Sequence, residues 1–509
     1  MKRDFSALSA CLCAIAGACL YALLAFGVLF PPEHAYYGSD IYNAYFYRLL
    51  EGHFDLPMRM LRYEGHYAAD GTGVLYHGLA PLLTRALLYP FVSLEQFPTA
   101  ALSIWLWAVI GTGFYHMSAY KVMQKYARPS SIHSCIIWGT VVALVIWLCS
   151  PGLFLSANLV LYHEPISIAY AAMAIAVYLL LQCTLFNMPL HRALIPASLL
   201  AGVLLHSRPH MAIGLYTGVV ILILLSTFRT PRWPIPSIIT CLLILSAFGA
   251  AFMYINAARF GSMIEAHGHV GATTETNTIQ YGAAFWDPNY ANGDTAEAFL
   301  DHGTFHPWRI VPNLLIYVFD YPAISDWVSS LHRTVTQDIS GFGKVEAPRF
   351  GMLFIWPSWI ILMLLGLCLG RPRIAGGLTS LPLLTAVGLA AVLMLSFPTV
   401  AFRYRTDLWP LIIVLCLLSF PGLMARFGTT YLNNGRVLTL SLLVLLGGIL
   451  ISGRAVIPYA KSYQTSVGGF YGVWDEDICA DLARTKGFSS SDTLRLCVDP
   501  SSVFPKSIN

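Results

Sequence analysis

The sequence predicts an all-α polytopic membrane protein with about eleven transmembrane helices, and three observations predict it. The 509 residues are 57% hydrophobic and only 11% charged, with a mean hydropathy of +0.63. That composition lies outside the soluble globular range. Apolar runs long enough, or nearly long enough, to span lipid recur along the whole chain. Between them, short connections rich in Lys and Arg alternate with longer polar ones, the pattern of loops on opposite membrane faces.

The first run, Ser6 to Phe30, follows Lys2 and Arg3. A signal peptide shares that charge but has a shorter apolar core, so this run is read as a retained first span. Further runs fall at 97–118, 132–155, 166–186, 194–205, 211–227, 235–256, 352–369, 376–399, 408–425 and 437–453. The fifth and sixth meet at HSRPH, where Pro209 forbids a continuous helix and restricts Arg208. They are two full spans or a re-entrant pair, and either choice leaves the parity of every later segment unchanged.

Orientation rests on the short loops carrying Lys121, Lys125 and Arg128, then Arg192, Arg229 and Arg232, Arg371 and Arg373, Arg426 and Arg436, all on the side of Lys2 and Arg3. The positive-inside rule makes that side cytoplasmic. A membrane domain, 1–453, then presents the loops 31–96 and 257–351 outside, followed by an extracytoplasmic tail, 454–509. Two amphipathic runs in the loops, Leu79 to Val92 and Val311 to Ile324, are too short to cross and are read as interfacial helices.

Composition also excludes function classes. A net charge of +4 without a Lys/Arg cluster gives no support to a nucleic-acid partner. No internal repeat of the kind that marks many secondary transporters is visible. The absence of an N-x-[ST] sequon favours a bacterial envelope over a eukaryotic lumen. Of the 11 cysteines, only Cys479 and Cys497 stand in polar sequence, and an extracytoplasmic tail would permit a disulfide between them.

Reactive side chains collect on the predicted outer face. Of the 15 histidines, only His116, His133 and His191 fall near the predicted cytoplasmic side. The first loop offers Glu33, Asp40, Glu51, Asp55, Glu64 and Asp70 among His34, His53, His66 and His77. Asp40 is the candidate general base, because a carboxylate at the bilayer surface is near water yet partly desolvated. It also suits an Asx turn or N-cap before Ile41 to Leu50. His163 and Glu164 precede Pro165 at the outer end of the fourth span, where Glu164 also suits the positive end of a helix. Arg208, Arg259, Arg403 and Arg405 fall at outer ends of spans, where a guanidinium can clamp a phosphate ester or snorkel to headgroups.

Tyr36, Tyr37, Tyr42, Tyr45, Phe46 and Tyr47 form an aromatic belt or stack on sugar rings. His34, His53, His66 and His77 share no ligand spacing, so no metal or other cofactor is expected. HGH at 267–269 reads as a solvated loop, and HEPIS lacks the second histidine of a helical zinc motif.

The ordered segments YGSDIYNAYFYRLLEGHFDLP, YEGHYAADGTGVLYHGLAPLL, YHEP, HSRPH, INAARFGS and FRYRTDLWP resemble bacterial multi-pass glycosyltransferases of the GT-C superfamily, over roughly residues 1 to 453. The resemblance implies a GT-C-like fold, a polyprenyl-phosphate-linked sugar donor, and a glycan or lipid acceptor on the outer face of the cytoplasmic membrane. It gives Asp40 the role of base and Glu164 that of a second acid arranging acceptor or metal. Arg208, Arg259, Arg403 and Arg405 become binders of the lipid phosphate, with His163, Tyr42 and His77 as acceptor or sugar contacts. The Asp-Glu pair of the protein mannosyltransferase branch is absent, since Ile41 follows Asp40. The rival classes are a lipid-linked saccharide flippase, disfavoured by span interiors nearly free of charge, and a saccharide ligase or polymerase.

Overall fold

A computed structural model describes residues 2–127, 132–229, 235–370, 375–428, 434–465, 471–472 and 474–498. Every apolar run read from the sequence is met by a helix. The long ones are α1 (Lys2–Ala25), α2 (Thr99–Tyr126), α3 (Ile132–Leu148), α4 (His163–Leu185), α5 (His191–Leu205), α6 (Pro209–Arg229), α7 (Ile235–Phe260), α8 (Pro357–Leu369), α9 (Leu381–Leu395), α10 (Arg405–Phe427) and α11 (Gly435–Lys461). Among the described residues, eight helices are long and apolar enough to cross a membrane; α3, α5 and α8 are shorter apolar helices. The chain is a multi-pass helical membrane protein. Arg128, Arg232, Arg371 and Arg373, part of the charge pattern that predicts orientation, lie outside the described residues.

Proline sets where the runs break. Pro209 opens α6 three residues after α5 has closed at His206, as its missing N–H and fixed φ require. The run 132–155 divides at Ser150, because Pro151 begins a separate short helix, Pro151–Ser156. The run 352–369 divides in the same way at Trp356, before Pro357. The last helix continues to Lys461, beyond the apolar run that predicts it.

α4 is the most buried of the eight long helices and α7 the least. α4 packs against α2 and α5; α6 packs on α9, α8 on α10, and α1 on α3. Tyr170 of α4 shows how tightly α2 and α4 meet: its hydroxyl lies 3.1 Å from the Thr112 hydroxyl, beside Gly111.

The two long loops and the tail assemble at one end. Strands β1 (Asp55–Leu56), β2 (His66–Tyr67), β3 (Gly73–Val74) and β4 (Gln280–Tyr281) pair in the order β1-β3-β2-β4, so the first loop is stitched to the second. β5 (Lys344–Val345) pairs in parallel with β6 (Thr399–Val400), tying the second loop to the segment before α10. Strands of two residues are too short to leave an alternating pattern, so an all-α expectation passes over them.

The tail packs on the first loop: Arg62 donates to the Gly472 carbonyl at 2.7 Å, and Arg59 lies 3.6 Å from Glu476. Gly71, at φ +81°, turns the loop where any Cβ would press on Leu496 and Phe488. Cys479 and Cys497 are joined by the disulfide that their polar setting suggests, 18 residues apart. Closing a loop of that size contributes about 3 kcal/mol by the chain-entropy account. Cys479→Ser is therefore expected to release the tail to limited proteolysis while the membrane helices stay protected. An unchanged digestion pattern would refute it.

Candidate functional site

Three of the four predicted arginines meet around His77. After β3 the chain crosses the α5–α6 corner so closely that a Cβ on Gly78 would collide with the His206 carbonyl; Ala80 N–H donates to that carbonyl at 2.9 Å. His77 is thereby placed at HSRPH. Arg259, on the last turn of α7, reaches back and donates to the carbonyls of Leu75 (2.7 Å) and His77 (3.1 Å). Arg208 and Arg403 both lie against the Tyr404 ring, at 5.2 and 4.9 Å from its centroid. Burial, then the charges of Arg208 and Arg403, then His267 and Arg259 push the His77 imidazole well below its ordinary pKa. His77 is a neutral ring in a cationic setting.

The arginines differ in how they are satisfied. Arg208 is ion-paired with the buried Asp407, which also lies 3.4 Å from His210. Arg403 donates to Glu346 (2.5 Å) and to the Tyr463 hydroxyl (2.9 Å), and stacks over Tyr162 at 4.3 Å. Arg259 is only 5% exposed and, among the described residues, makes no ion pair and finds no partner for its Nε. A buried guanidinium held by carbonyls alone is a charge seeking an anion. Arg405 stands apart, over Tyr317 (5.3 Å) and Phe402 (5.0 Å), with one bond to the Ala401 carbonyl.

An aromatic chamber adjoins this cluster. His66 is fully buried, with ring centroids of His267 at 4.5 Å, Tyr76 at 4.6 Å and Tyr281 at 5.3 Å, and neither ring nitrogen has a partner among the described residues. Burial first, then His267, His77 and Arg259 hold its pKa well below the ordinary value. Glu64 accepts from the Tyr281 hydroxyl at 3.1 Å. Burial raises its carboxyl, although Tyr162, Arg403, Tyr281 and Lys344 oppose. Glu346 goes the other way: burial would raise it, but Arg403 and Lys344 hold it low.

Asp40 stands at the mouth of the helix Ile41–Leu50, in the N-cap position, exposed, and without a side-chain bond to the helix. Among the described residues its carboxylate contacts only the Ser39 hydroxyl, at 3.4 Å. Gly38, at φ +65°, makes the turn, where any Cβ would strike Leu161. Two residues on, Tyr42 is fully buried with its ring under the Arg85 guanidinium at 5.6 Å. Burial and the Glu164 carboxylate raise the Tyr42 hydroxyl well above its ordinary value, against the opposing charges of Arg85 and Arg259. Tyr42 thus links the Asp40 turn to Arg259.

Glu164 and His163 are where the sequence places them, at the start of α4, but both are occupied. Arg85 takes both Glu164 oxygens, one at 2.8 Å, and its Nε donates to Asn43 at 3.0 Å. Arg85 and Glu164 are buried. The expectation that Glu164 arranges an acceptor or metal meets a carboxylate with both oxygens on Arg85. His163 uses Nδ1 on the Asn158 carbonyl (2.7 Å) and Nε2 on the Tyr459 hydroxyl (2.5 Å), and stacks on Tyr459. No ring nitrogen remains for a sugar, so its role is to anchor α11.

Sequence reading names Glu64 without selecting it, and passes over Arg85, Glu346 and Asp407. The signal for Arg85 is an arginine on the apolar side of an otherwise interfacial run. Among the described residues, no group of three His, Cys, Asp or Glu side chains is placed to hold a metal ion. Comparison of the chain with protein-family models and with curated proteins gives no match.

Proposed function

We propose that the protein is an inverting glycosyltransferase of the bacterial cytoplasmic membrane. It moves a sugar from a polyprenyl-phosphate donor to a hydroxyl of an envelope glycan or lipid at the loop-rich face, which the charge pattern puts outside. The observation that carries this reading is Arg259: a buried cation without a carboxylate among the described residues, at the end of a membrane helix, whose charge acts on His77 together with those of Arg208 and Arg403. A lipid-borne phosphate reaches such a place from the bilayer, and cations fixed in a low-dielectric site stabilise the charge that grows on a leaving phosphate.

In the reaction, the Asp40 carboxylate accepts the acceptor's hydroxyl proton. The oxygen forms a bond to the anomeric carbon as the bond from that carbon to phosphate breaks, and the electron pair leaves on polyprenyl phosphate toward the arginines. One displacement inverts the carbon. Glu164 acts through Arg85 and Asn43, holding the helix that begins at Asp40. The resemblance to the GT-C superfamily supports the donor class; the exposed carboxylate of Asp40, with its single long contact, supports its availability to a substrate.

The test is Arg259→Gln, assayed in lipid with a polyprenyl-phosphate sugar. Loss of a charged hydrogen bond to phosphate, about 1.5–3 kcal/mol, predicts kcat/KM lower by roughly tenfold to a hundredfold. Unchanged transfer by folded protein would remove the arginine cluster from phosphate binding, and the reading with it.

A further inference from the structure

A cleft of about 470 Å³ opens on the second loop. Asn289 and Tyr290 come from the short helix Pro288–Ala291, whose first N–H is capped by Asp287, and Asp294 opens the next helix, Asp294–Leu300. Ser329, from the helix Ser325–Ser340, faces them, and after the turn at Gly341 the chain returns with Phe342 and Lys344 to close the wall. The volume lies in the range of small-molecule sites.

The wall chemistry selects the ligand. A lipid tail would strip water from the asparagine, serine and aspartate side chains without replacing their hydrogen bonds. A polyanion would find both neighbouring cations already engaged, Arg333 with the Asp294 carboxylate at 2.5 Å and Lys344 with Glu346 at 3.2 Å. A neutral, hydroxyl-rich molecule meets neither penalty: amide and hydroxyl groups exchange hydrogen bonds with it, and the Tyr290 ring takes the C–H face of a sugar ring beside Phe342, over which Arg333 lies at 5.4 Å.

The cleft also has two lines into the buried site. Through Lys344, Glu346 leads to Arg403 at 2.5 Å. Through Tyr290, whose ring lies 5.8 Å from that of Tyr281, the back wall leads to Glu64. We infer that this cleft is a subsite for a neutral saccharide, one that holds the glycan part of the acceptor just outside the buried chamber. Its identification as the acceptor's subsite rests on the transferase reading; saccharide binding itself does not.

The experiment uses the full-length protein in lipid nanodiscs on an array of neutral mono- to tetrasaccharides. Wild type is expected to bind a subset of the array. Ser329→Trp, which fills the cleft, is expected to weaken that binding at least ~10-fold, and Ser329→Ala, which removes one hydroxyl and fills nothing, to weaken it by less. Absence of wild-type binding to every saccharide, or equal binding by Ser329→Trp, overturns the subsite. Transfer assays on the same preparations separate the two readings. Binding lost in Ser329→Trp with no transfer by wild type leaves the subsite standing and removes the transferase; transfer by wild type with indifferent Ser329→Trp does the reverse.

Discussion

Asp40→Asn protein is expected to turn over a lipid-linked sugar donor about 10²–10⁴-fold more slowly than wild type, the usual contribution of a positioned general base. The KM for donor should move little, because in the proposed reaction the side chain meets the acceptor and not the phosphate. Asp40 differs from three buried acids in having no cationic partner among the described residues. Glu164 gives both oxygens to Arg85; Asp407 is held by Arg208; Glu346 is shared by Arg403, Lys344 and Tyr463. Of the three, Glu346 is held low by Arg403 and Lys344, and a carboxylate paired with an arginine offers a hydroxyl less room.

Among the described residues Asp40 makes only the long Ser39 contact, at the positive end of a helix that it does not cap by its side chain. Glu64 is the rival, since it is buried, accepts from Tyr281 at 3.1 Å, and has its carboxyl raised. Glu64→Gln measured beside Asp40→Asn decides between them. Near-normal turnover by Asp40→Asn with loss in Glu64→Gln would transfer the role of base to Glu64.

The helices are legible because each is a long one-dimensional signal. Hydropathy over about twenty residues marks a span without any knowledge of its neighbours, and Pro209 marks a break by its own covalent geometry, whereas the breaks before Pro151 and Pro357 fall inside runs read as single spans. The gathering of polar groups at one end comes from parity alone. Cys479 and Cys497 are legible as the only cysteines outside apolar sequence.

What the sequence hides is who pairs with whom. Arg85 and Glu164 lie 79 residues apart, and His163 and Tyr459 lie 296 apart. No local period encodes either contact. The four arginines look equivalent at span ends, yet the fold gives Arg208 and Arg403 carboxylates, gives Arg259 only carbonyls among the described residues, and turns Arg405 toward Tyr317. That difference is tertiary, and it is the one on which the proposed phosphate binding rests.

The Arg85–Glu164 pair yields the largest expected effect on stability. Arg85→Leu leaves the Glu164 carboxylate buried without its partner and removes the Nε bond to Asn43, whose amide in turn donates to the Leu94 carbonyl at 2.7 Å. Stranding one charge of a buried pair costs about 3–5 kcal/mol, because desolvation of the remaining ion is no longer offset by its partner. The expected result is a large fall in the detergent-solubilised protein's thermal midpoint, with the Asp40 turn loosened first. The helix Ile41–Leu50 is tied to the bundle through Asn43 and through Tyr42 beneath Arg85.

The double variant Arg85→Leu with Glu164→Leu distinguishes a stranded charge from lost packing. Replacing both ions by apolar groups is near neutral when the site can repack, so most of the midpoint should return. If the double variant is as unstable as Arg85→Leu alone, the pair acts through the Asn43 bond and the cover over Tyr42, and its electrostatics are secondary. Activity then separates scaffold from chemistry. A recovered midpoint with turnover still lost would show that the pair positions the Asp40 helix for reaction, since Arg85 and Glu164 are buried and engaged with each other, Asn43 and the Pro81 carbonyl.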